Sequence, residues 1–226
     1  MIKIERGKKS YHTDTIQTTA LNDVSLYIKS GEFVSIMGPS GCGKSTLMNI
    51  IGLLDKPCEG DIYIDNQKIE SYRDKSIAPI RNEKIGFVFQ AYNLIPVLTA
   101  AENIEFIMLL QHRDKAERTA RVKELMTKMG IGNEMNKMPS EISGGQQQRV
   151  AVARALASKP AFVLADEPTA NLDSVATADL LDIMHQMNQE EGVTFIFSTH
   201  DQRVIDRAKR VITLVDGQIT KDEIQA

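Results

Sequence analysis

The alternation of apolar and polar positions predicts strands along both halves of the chain. Residues 2–5 and 20–28 alternate with a period of two, which is typical of strands that bury one face. Residues 32–37, 85–89 and 193–199 are short and almost continuously apolar. Runs of that length are typical of strands buried on both faces of a sheet. The pattern therefore predicts half-exposed strands first and buried central strands after them.

Two stretches have the pattern of a hairpin. Residues 60–68 alternate up to a polar turn at Asn66 and Gln67. Residues 210–220 contain the dipeptide Asp216-Gly217, which is a strong signal for the tight turn of a hairpin. The second hairpin is expected to end the fold.

Helical periodicity dominates the middle of the chain. Thr99 and Glu102 stand three residues apart before an apolar run, as in a capping box, so a helix is expected to begin there. Gly130 follows a strongly charged stretch and is expected to end a second helix. Helices are predicted over residues 99–110, 114–129, 143–156 and 174–189.

One stretch between a strand and a helix carries specific chemistry. Residues 38–46 read GPSGCGKST and match the phosphate-binding pattern G-x-x-x-x-G-K-[ST]. Glycines let the backbone fold around phosphate oxygens with its N–H groups pointing inward, and the following helix adds its positive end. Lys44 is expected to reach the β- and γ-phosphates, and the Ser45 hydroxyl to hold Mg²⁺. The predicted nucleotide-binding residues of this loop are Gly38, Ser40, Gly41, Gly43, Lys44, Ser45 and Thr46.

An apolar strand over residues 162–166 ends in two carboxylates, Asp166 and Glu167. At the carboxyl end of a parallel strand beside a phosphate loop, the first carboxylate is suited to bind Mg²⁺ through water. The second is suited to polarise an attacking water. Because a phosphate loop lies upstream, we favour this interpretation over a solvated turn.

Four further positions each leave two interpretations open. Gln90 ends a buried strand and is either a γ-phosphate sensor or an ordinary loop residue, and His200 is either a γ-phosphate contact or a polar cap. Tyr11 either packs in the fold or stacks on a ligand. Ser143, followed by two glycines, is either a plain helix N-cap or part of a second anion-binding cradle.

Composition limits the classes of protein that fit. A chain of 226 residues is long enough for one substantial core. The formal charge of −3, with both signs interspersed, argues against a nucleic-acid surface. Two cysteines without metal or disulfide spacing fit a reducing compartment. No apolar run approaches the length of a membrane span, and residues 1–6 lack the apolar core of a signal peptide, so we expect a cytoplasmic protein.

Taken together, the motifs resemble those of the ATP-binding cassette (ABC) ATPase family over essentially the whole chain. The order is phosphate loop, Gln90, the SGGQ signature at residues 143–146, the strand ending in Asp166 and Glu167, and His200. Ile142 stands where that signature usually has leucine, a near-isosteric change that we expect to be silent. The segment LADEPTANLD at residues 164–173 is similar to the lipoprotein-releasing and macrolide-exporting branch, represented by LolD and MacB.

The resemblance implies an α/β fold, a P-loop NTPase with a RecA-like core. An N-terminal antiparallel β subdomain and an inserted α-helical signature subdomain would complete it. The whole of residues 1–226 would form a single ABC ATPase domain. Residues 1–90 and 158–226 would hold the catalytic core with the β subdomain, and residues from about 91 to 157 the helical subdomain.

The resemblance also implies a role for each candidate residue. Glu167, His200 and Gln90 would serve catalysis, and Ser45, Gln90 and Asp166 would serve Mg²⁺. Tyr11 would stack on the adenine of ATP. The residues expected to bind ATP held by a second subunit, or to lie at that interface, are Ser143, Gly144, Gly145, Gln146 and Asp173.

In the resembled family the phosphate loop and the signature meet only across a head-to-tail dimer. This chain has one of each, so the resemblance implies a homodimer around two ATP that drives a separate membrane permease. The permease would dock on the surface around residues 92–98, and the loop from Gln90 to Thr99 would couple it to the site. The protein would then lie at the inner face of the cell membrane. Two alternatives stay open: a non-transport ABC ATPase such as a cell-division regulator, and a nucleotide-binding module without turnover.

Overall fold

The computed structural model describes residues 1–12 and 17–225, and its strands form two sheets. Residues 13–16, between β1 and β2, lie outside the described residues. The strands are β1 (Ile2–His12), β2 (Gln17–Ile28), β3 (Phe33–Met37), β4 (Glu59–Ile64), β5 (Gln67–Lys68), β6 (Ile85–Val88), β7 (Phe162–Asp166), β8 (Thr194–Ser198), β9 (Arg210–Val215) and β10 (Gln218–Ile224).

The smaller sheet is antiparallel and has the strand order β2-β1-β4-β5. Ile2 lies opposite Ile28 on one side and Ile64 on the other, and all three side chains are buried. The alternation seen in the sequence therefore produces one apolar face. Strand β1 continues to His12, well beyond the predicted end at residue 5, because β2 remains paired with it as far as Gln17.

The larger sheet has the order β10-β9-β3-β8-β7-β6, in which every pairing except the β9–β10 hairpin is parallel. Parallel strands end at the same edge of a sheet. The carboxyl ends of β3, β6, β7 and β8 therefore bring the phosphate loop, Gln90, Asp166 with Glu167, and His200 to one edge. This arrangement confirms the expected α/β fold.

The helices cover the large sheet. They are α1 (Lys44–Ile51), α2 (Asp74–Lys84), α3 (Ala100–Leu110), α4 (Lys115–Lys128), α5 (Gly144–Ala157), α6 (Ser174–Glu191) and α7 (Gln202–Ile205), with short 3₁₀ turns at Gly132–Glu134 and Pro139–Glu141. Between β6 and β7, the described residues form helices and no strand. One core cluster joins these helices to a face of the sheet around Phe33, Phe195 and Phe197, and a second lies between the opposite face and the small sheet.

Helix ends follow the predicted signals, whereas two helices had no such signal. The side chains of Thr99 and Glu102 form both bonds of the capping box at the start of α3, and Gly130 beyond α4 has a φ of 66°. The sequence analysis assigned no element to α2, which is largely polar and contains Pro79, or to the short α7. No helix within residues 1–12 and 17–225 is long and apolar enough to cross a bilayer.

Candidate nucleotide site

The phosphate loop joins the end of β3 to the start of α1, as its pattern requires. Gly43 is the N-cap of α1 with a φ of 105°, and a Cβ built there would lie 2.3 Å from the carbonyl oxygen of Ala20. A side chain at this position would therefore collide with the backbone of β2. At Gly41, φ is 78° and a Cβ would meet no atom within 4 Å. Packing therefore requires a glycine at position 43. At position 41 there is room for a side chain, and glycine is favoured by the backbone conformation.

The ammonium group of Lys44 lies over the loop. Its Nζ donates to the carbonyl oxygens of Gly38 at 2.8 Å and Pro39 at 3.0 Å. It also lies 3.9 Å from the sulfur of the buried Cys42. The cation is thus held within the concave side of the loop, where phosphate oxygens can replace the carbonyl acceptors.

Glu167 and His200 come together from the ends of two neighbouring strands. Asp166 pairs with Ser198 in the β7–β8 ladder, and the backbone N–H of Glu167 continues the pairing with a 2.8 Å bond to the Ser198 carbonyl. One carboxylate oxygen of Glu167 lies 2.7 Å from Nδ1 of His200, and the other accepts from the Thr199 hydroxyl at 3.2 Å. Glu167 has a φ of 46°, in the left-handed region. Its carboxylate is therefore fixed at the sheet edge, as a general base requires.

A network behind His200 fixes the loop that carries it. Asp201 caps α7 and accepts from the hydroxyl of the buried Thr169 at 2.9 Å and from Arg203 at 2.7 Å. The hydrogen bonds from Arg203 outweigh burial and lower the pKa of Asp201 to about 2. Asp201 is therefore ionised at neutral pH and anchors the residue next to His200.

The loop after Gln90 is held from two directions. The side chain of Asn171 donates to the Gln90 carbonyl at 3.0 Å. The guanidinium of Arg154, on α5, donates to the carbonyl oxygens of Asn93 at 2.6 Å and Tyr92 at 2.9 Å. Tyr92 and Asn93 have φ values of 57° and 52°, so this turn occupies an unfavourable backbone region that Arg154 stabilises.

The signature residues begin α5 with a complete capping box. The hydroxyl of Ser143 accepts from the N–H of Gln146 at 3.3 Å, and the side-chain oxygen of Gln146 accepts from the N–H of Ser143 at 2.8 Å. The N-cap interpretation is therefore correct. It is compatible with an anion cradle, since a helix leaves its first N–H groups without intrahelical partners and Ser143 and Gly144 are exposed.

The neighbours of the signature are the Gln90 loop and the start of α6. A Cβ at Gly144 would lie 3.0 Å from the Tyr92 hydroxyl oxygen, and one at Gly145 would lie 3.8 Å from Cβ of Ala176. Asp173 caps α6 by accepting from Ala176 at 2.8 Å. The structure thus brings the signature and Asp173 together, whereas Gln90, Asp166, Glu167 and His200 share the sheet edge with the phosphate loop.

A family model described as "ABC transporter" matches residues 21–170, about two thirds of the chain. The chain belongs to the ABC transporter family. It is 47% identical over 227 residues to the ABC transporter ATP-binding protein MJ0796 of Methanocaldococcus jannaschii, covering 99% of this chain and 97% of that one.

Two named ABC relatives indicate the branch. LolD 1, a lipoprotein-releasing system ATP-binding protein of Rhodopseudomonas palustris, is 43% identical, with 97% of this chain and 98% of LolD aligned. The macrolide export ATP-binding/permease protein MacB of Syntrophobacter fumaroxidans is 42% identical over 97% of this chain but only 31% of its own length. The chain is therefore an ABC ATPase of the LolD and MacB branch, as the motifs predicted.

The fold comparison gives the same assignment. The structure described as a dimeric post-hydrolysis state of MJ0796 bound to ADP and Pi matches with a TM-score of 0.92 and 46% identity, covering 99% of this chain and 98% of that one. The likeness therefore covers the complete ABC fold, including the small sheet and the helices between β6 and β7.

Several residues at this ABC site were missed by the sequence analysis because long-range contacts define them. Arg154 bonds to the Gln90 loop, Thr199 to Glu167, and the buried amide of Gln148 donates to the Pro168 carbonyl at 2.7 Å. One signal was available for Arg154. It is the single charged residue in the apolar run at residues 150–157, and an arginine there is expected to need a partner.

Proposed function

We propose that this ABC ATPase is the energy-supplying subunit of a transporter. Two copies bind head to tail around two ATP and drive a separate permease of the lipoprotein-releasing or macrolide-exporting type. The observation that carries the proposal is the position of the signature. It is an exposed helix N-terminus whose nearest neighbours are Tyr92 and Ala176, and it lies in the same chain as a complete phosphate loop. MJ0796, which is similar in fold throughout, is described as dimeric.

Each half of the proposed site comes from a different subunit. The loop from Gly38 to Thr46 holds the phosphates of ATP, chiefly through its backbone and Lys44, and Tyr11 lies against the adenine. The signature of the second subunit brings its helix N-terminus to the γ-phosphate. The negative phosphates then join two positive sites, so that ATP closes the dimer. Residues assigned to the second half are Ser143, Gly144, Gly145, Gln146 and Asp173.

Glu167 is the proposed general base. Its fixed carboxylate orients and polarises a water molecule for attack on the γ-phosphorus, and the bond from that phosphorus to the bridging oxygen of ADP breaks. His200, which bonds to Glu167, holds the carboxylate and faces the γ-phosphate. The products are ADP and phosphate. This pairing favours turnover over a binding module.

The donor groups at the sheet edge suit Mg²⁺. The Ser45 hydroxyl, the Asp166 carboxylate and the Gln90 amide are oxygen donors of the kind that this hard cation prefers. We propose that these three residues hold it. Held by these residues, Mg²⁺ would supply positive charge that offsets the charge of the β- and γ-phosphates.

The surface around the Gln90 loop is the proposed docking site of the permease. Val97 is 76% exposed, and Phe106, Leu109 and Leu110 of α3 are exposed as well, whereas Leu94 packs against the core. Exposed apolar side chains next to a site are typical of protein contacts. Residues from about 91 to 157 would move as a helical subdomain against the core of residues 1–90 and 158–226. The chain would thereby act at the cytoplasmic face of a membrane.

A complementation assay tests the composite site. Lys44→Ala removes the phosphate cation, and Gly145→Trp blocks the signature, so each variant alone is expected to be inactive. A mixed dimer retains one intact site, formed by the phosphate loop of the second variant and the signature of the first. Mixing the two should therefore restore part of the wild-type phosphate release. Failure to restore any activity would contradict the head-to-tail dimer.

A further inference from the structure

Tyr11 belongs to a small polar cluster that joins β1 to the segment after α1. Its hydroxyl donates to one carboxylate oxygen of Asp55 at 3.1 Å. The ammonium of Lys9 donates to the other carboxylate oxygen at 2.6 Å and to the Lys56 carbonyl at 2.9 Å. The same ammonium lies 5.1 Å from the centroid of the Tyr11 ring. The ring is therefore fixed both at its hydroxyl and on one face.

Lys9 is unusual for a lysine because only 8% of it is exposed. A buried ammonium is costly unless it is paired and hydrogen-bonded, and here one carboxylate and one carbonyl fulfil that requirement. Asp55 is correspondingly ionised. Burial opposes its charge, but the bonds from Lys9 and from the Lys56 N–H hold the pKa of Asp55 below its ordinary value.

Tyr11 itself remains 43% exposed although Lys9 lies over one face. A cation over an aromatic ring is attracted to its negative face. The ring thus has a covered side and an accessible side, as a stacking platform requires.

The cluster also fixes the ring relative to the phosphate loop. Lys9 lies opposite Leu21 in the β1–β2 ladder, and the Leu21 side chain and the Ala20 carbonyl are the atoms next to Gly43. Tyr11 lies two residues further along β1, about 7 Å at ordinary strand rise. Asp55 is attached to the loop's own helix, because its N–H donates to the Asn49 carbonyl at 3.2 Å.

We infer that Lys9 and Asp55 are positioning residues that hold the Tyr11 ring as the adenine platform at a set distance from the phosphate loop. This inference rests on the proposed function, in which Tyr11 stacks on adenine. A ring that is already oriented loses less side-chain entropy when the base binds. Removing either partner should weaken the adenine contact and leave the phosphate contacts intact.

The test compares ATP with inorganic tripolyphosphate, which has the phosphates but no base. Dissociation constants of both are measured by titration calorimetry for wild type, Lys9→Met, Asp55→Asn and Tyr11→Ala. Ordering one side chain corresponds to about 3- to 10-fold in affinity. We expect ATP to bind about 3- to 10-fold more weakly to Lys9→Met and Asp55→Asn, with tripolyphosphate binding unchanged. Tyr11→Ala should lose at least as much.

Lys8→Met is the matched control. Lys8 is the adjacent residue of β1 and pairs with Glu59 on β4 at 3.1 Å, away from the ring. Its ATP affinity should equal that of wild type. If Lys9→Met does not fold, Asp55→Asn and Tyr11→Phe test the cluster through the bond between Tyr11 and Asp55, since Tyr11→Phe keeps the ring but removes the hydroxyl.

The failures of the two proposals can be told apart. If Tyr11→Ala weakens ATP binding and Lys9→Met and Asp55→Asn do not, the positioning role is wrong and the stacking role of Tyr11 stands. If tripolyphosphate binding falls in parallel with ATP binding, the cluster acts on the phosphate loop and the inference is also wrong. Unchanged ATP affinity in Tyr11→Ala would overturn the adenine assignment in the proposed function and this inference with it.

Discussion

At the residue scale, the chemistry proposed for this ABC ATPase depends on a carboxylate that is already positioned. Glu167 is bonded to His200 and Thr199 and occupies a left-handed backbone conformation. Such strain is retained where the surrounding structure fixes it, and it is frequent in active sites. The proposed base therefore needs no rearrangement of its own strand to reach its working position.

Glu167→Gln should separate binding from turnover. The amide keeps the shape of the side chain but has no charge to polarise water, so phosphate release should fall about 10²- to 10⁴-fold. ATP affinity should be retained, and the dimer should persist with ATP because hydrolysis no longer opens it. Size-exclusion chromatography with ATP measures the mass. The exposed Glu223→Gln serves as the control, and a Glu167→Gln protein of normal activity would exclude Glu167 as the base.

Asp201 gives a prediction about pH. Its pKa of about 2 lies below the ordinary 3.8, so it stabilises the fold fully above about pH 4 and loses that effect as the pH falls towards 2. We expect Asp201→Asn to lower the free energy of unfolding by about 1 kcal/mol at pH 7, and the difference from wild type to shrink below pH 4. Urea unfolding at several pH values measures it, with the exposed Asp182→Asn as control. A difference independent of pH would contradict the role of this charge.

At the scale of elements, α5 connects the loops of the site. Its first turn is the signature, Gln148 bonds to the Pro168 carbonyl beside Glu167, and Arg154 bonds to the Gln90 loop. One rigid helix therefore contacts the residue after the proposed base, the Gln90 loop and the surface proposed for the second subunit. Movement of any of these elements must be accommodated by α5.

Arg154→Met should loosen the Gln90 loop without changing the phosphate loop. The substitution removes the donor for two carbonyl oxygens in a left-handed turn, so the loop is expected to shift. A small displacement of a residue in a catalytic site is costly, so kcat should fall about 10- to 100-fold. ATP affinity should stay near the wild-type value. Steady-state phosphate release and titration calorimetry measure the two quantities. Arg113→Met is the matched control, because that guanidinium bonds to the Ser158 carbonyl at 3.3 Å, away from the loop. An equal loss of ATP affinity would point to general damage instead.

At the scale of the whole molecule, the proposed nucleotide site and the proposed permease surface lie on different parts of the fold. The carboxyl edge of the large sheet carries the phosphate loop and Glu167, and the exposed apolar residues of α3 and Val97 lie beyond the Gln90 loop. The loop thus connects the proposed ATP site with the proposed permease surface.

Val97→Glu should release the permease and leave the isolated ATPase intact. A charge at an exposed apolar contact is costly to bury in an interface, whereas it costs little on a free surface. The readouts are phosphate release by the isolated chain and co-purification of the permease from native membranes. Ile224→Glu, at another exposed apolar position that is 85% accessible, should retain the permease. Retention by Val97→Glu as well would show that the docking surface lies elsewhere.

Local patterns were sufficient to predict most of the fold. The period-two and apolar runs predicted the strands, Thr99 and Gly130 marked helix ends, and the phosphate loop lies between a strand and a helix as its chemistry demands. Helix α2 was not predicted, because it is largely polar and contains Pro79. In the fold it is held by Ile77 and Ile80, which pack against the core cluster next to the small sheet.

The sequence by itself determined the family, the α/β fold and the residue types of the site, because these depend on short spacings and on periodicity. The tertiary structure decided which residues support that site. Lys9 and Asp55 lie 46 positions apart, and Arg154 lies 62 positions from Tyr92, yet each pair forms a hydrogen bond. The reason is physical: strand pairing and the packing of α5 bring these groups together, and no local pattern encodes a contact made across the fold.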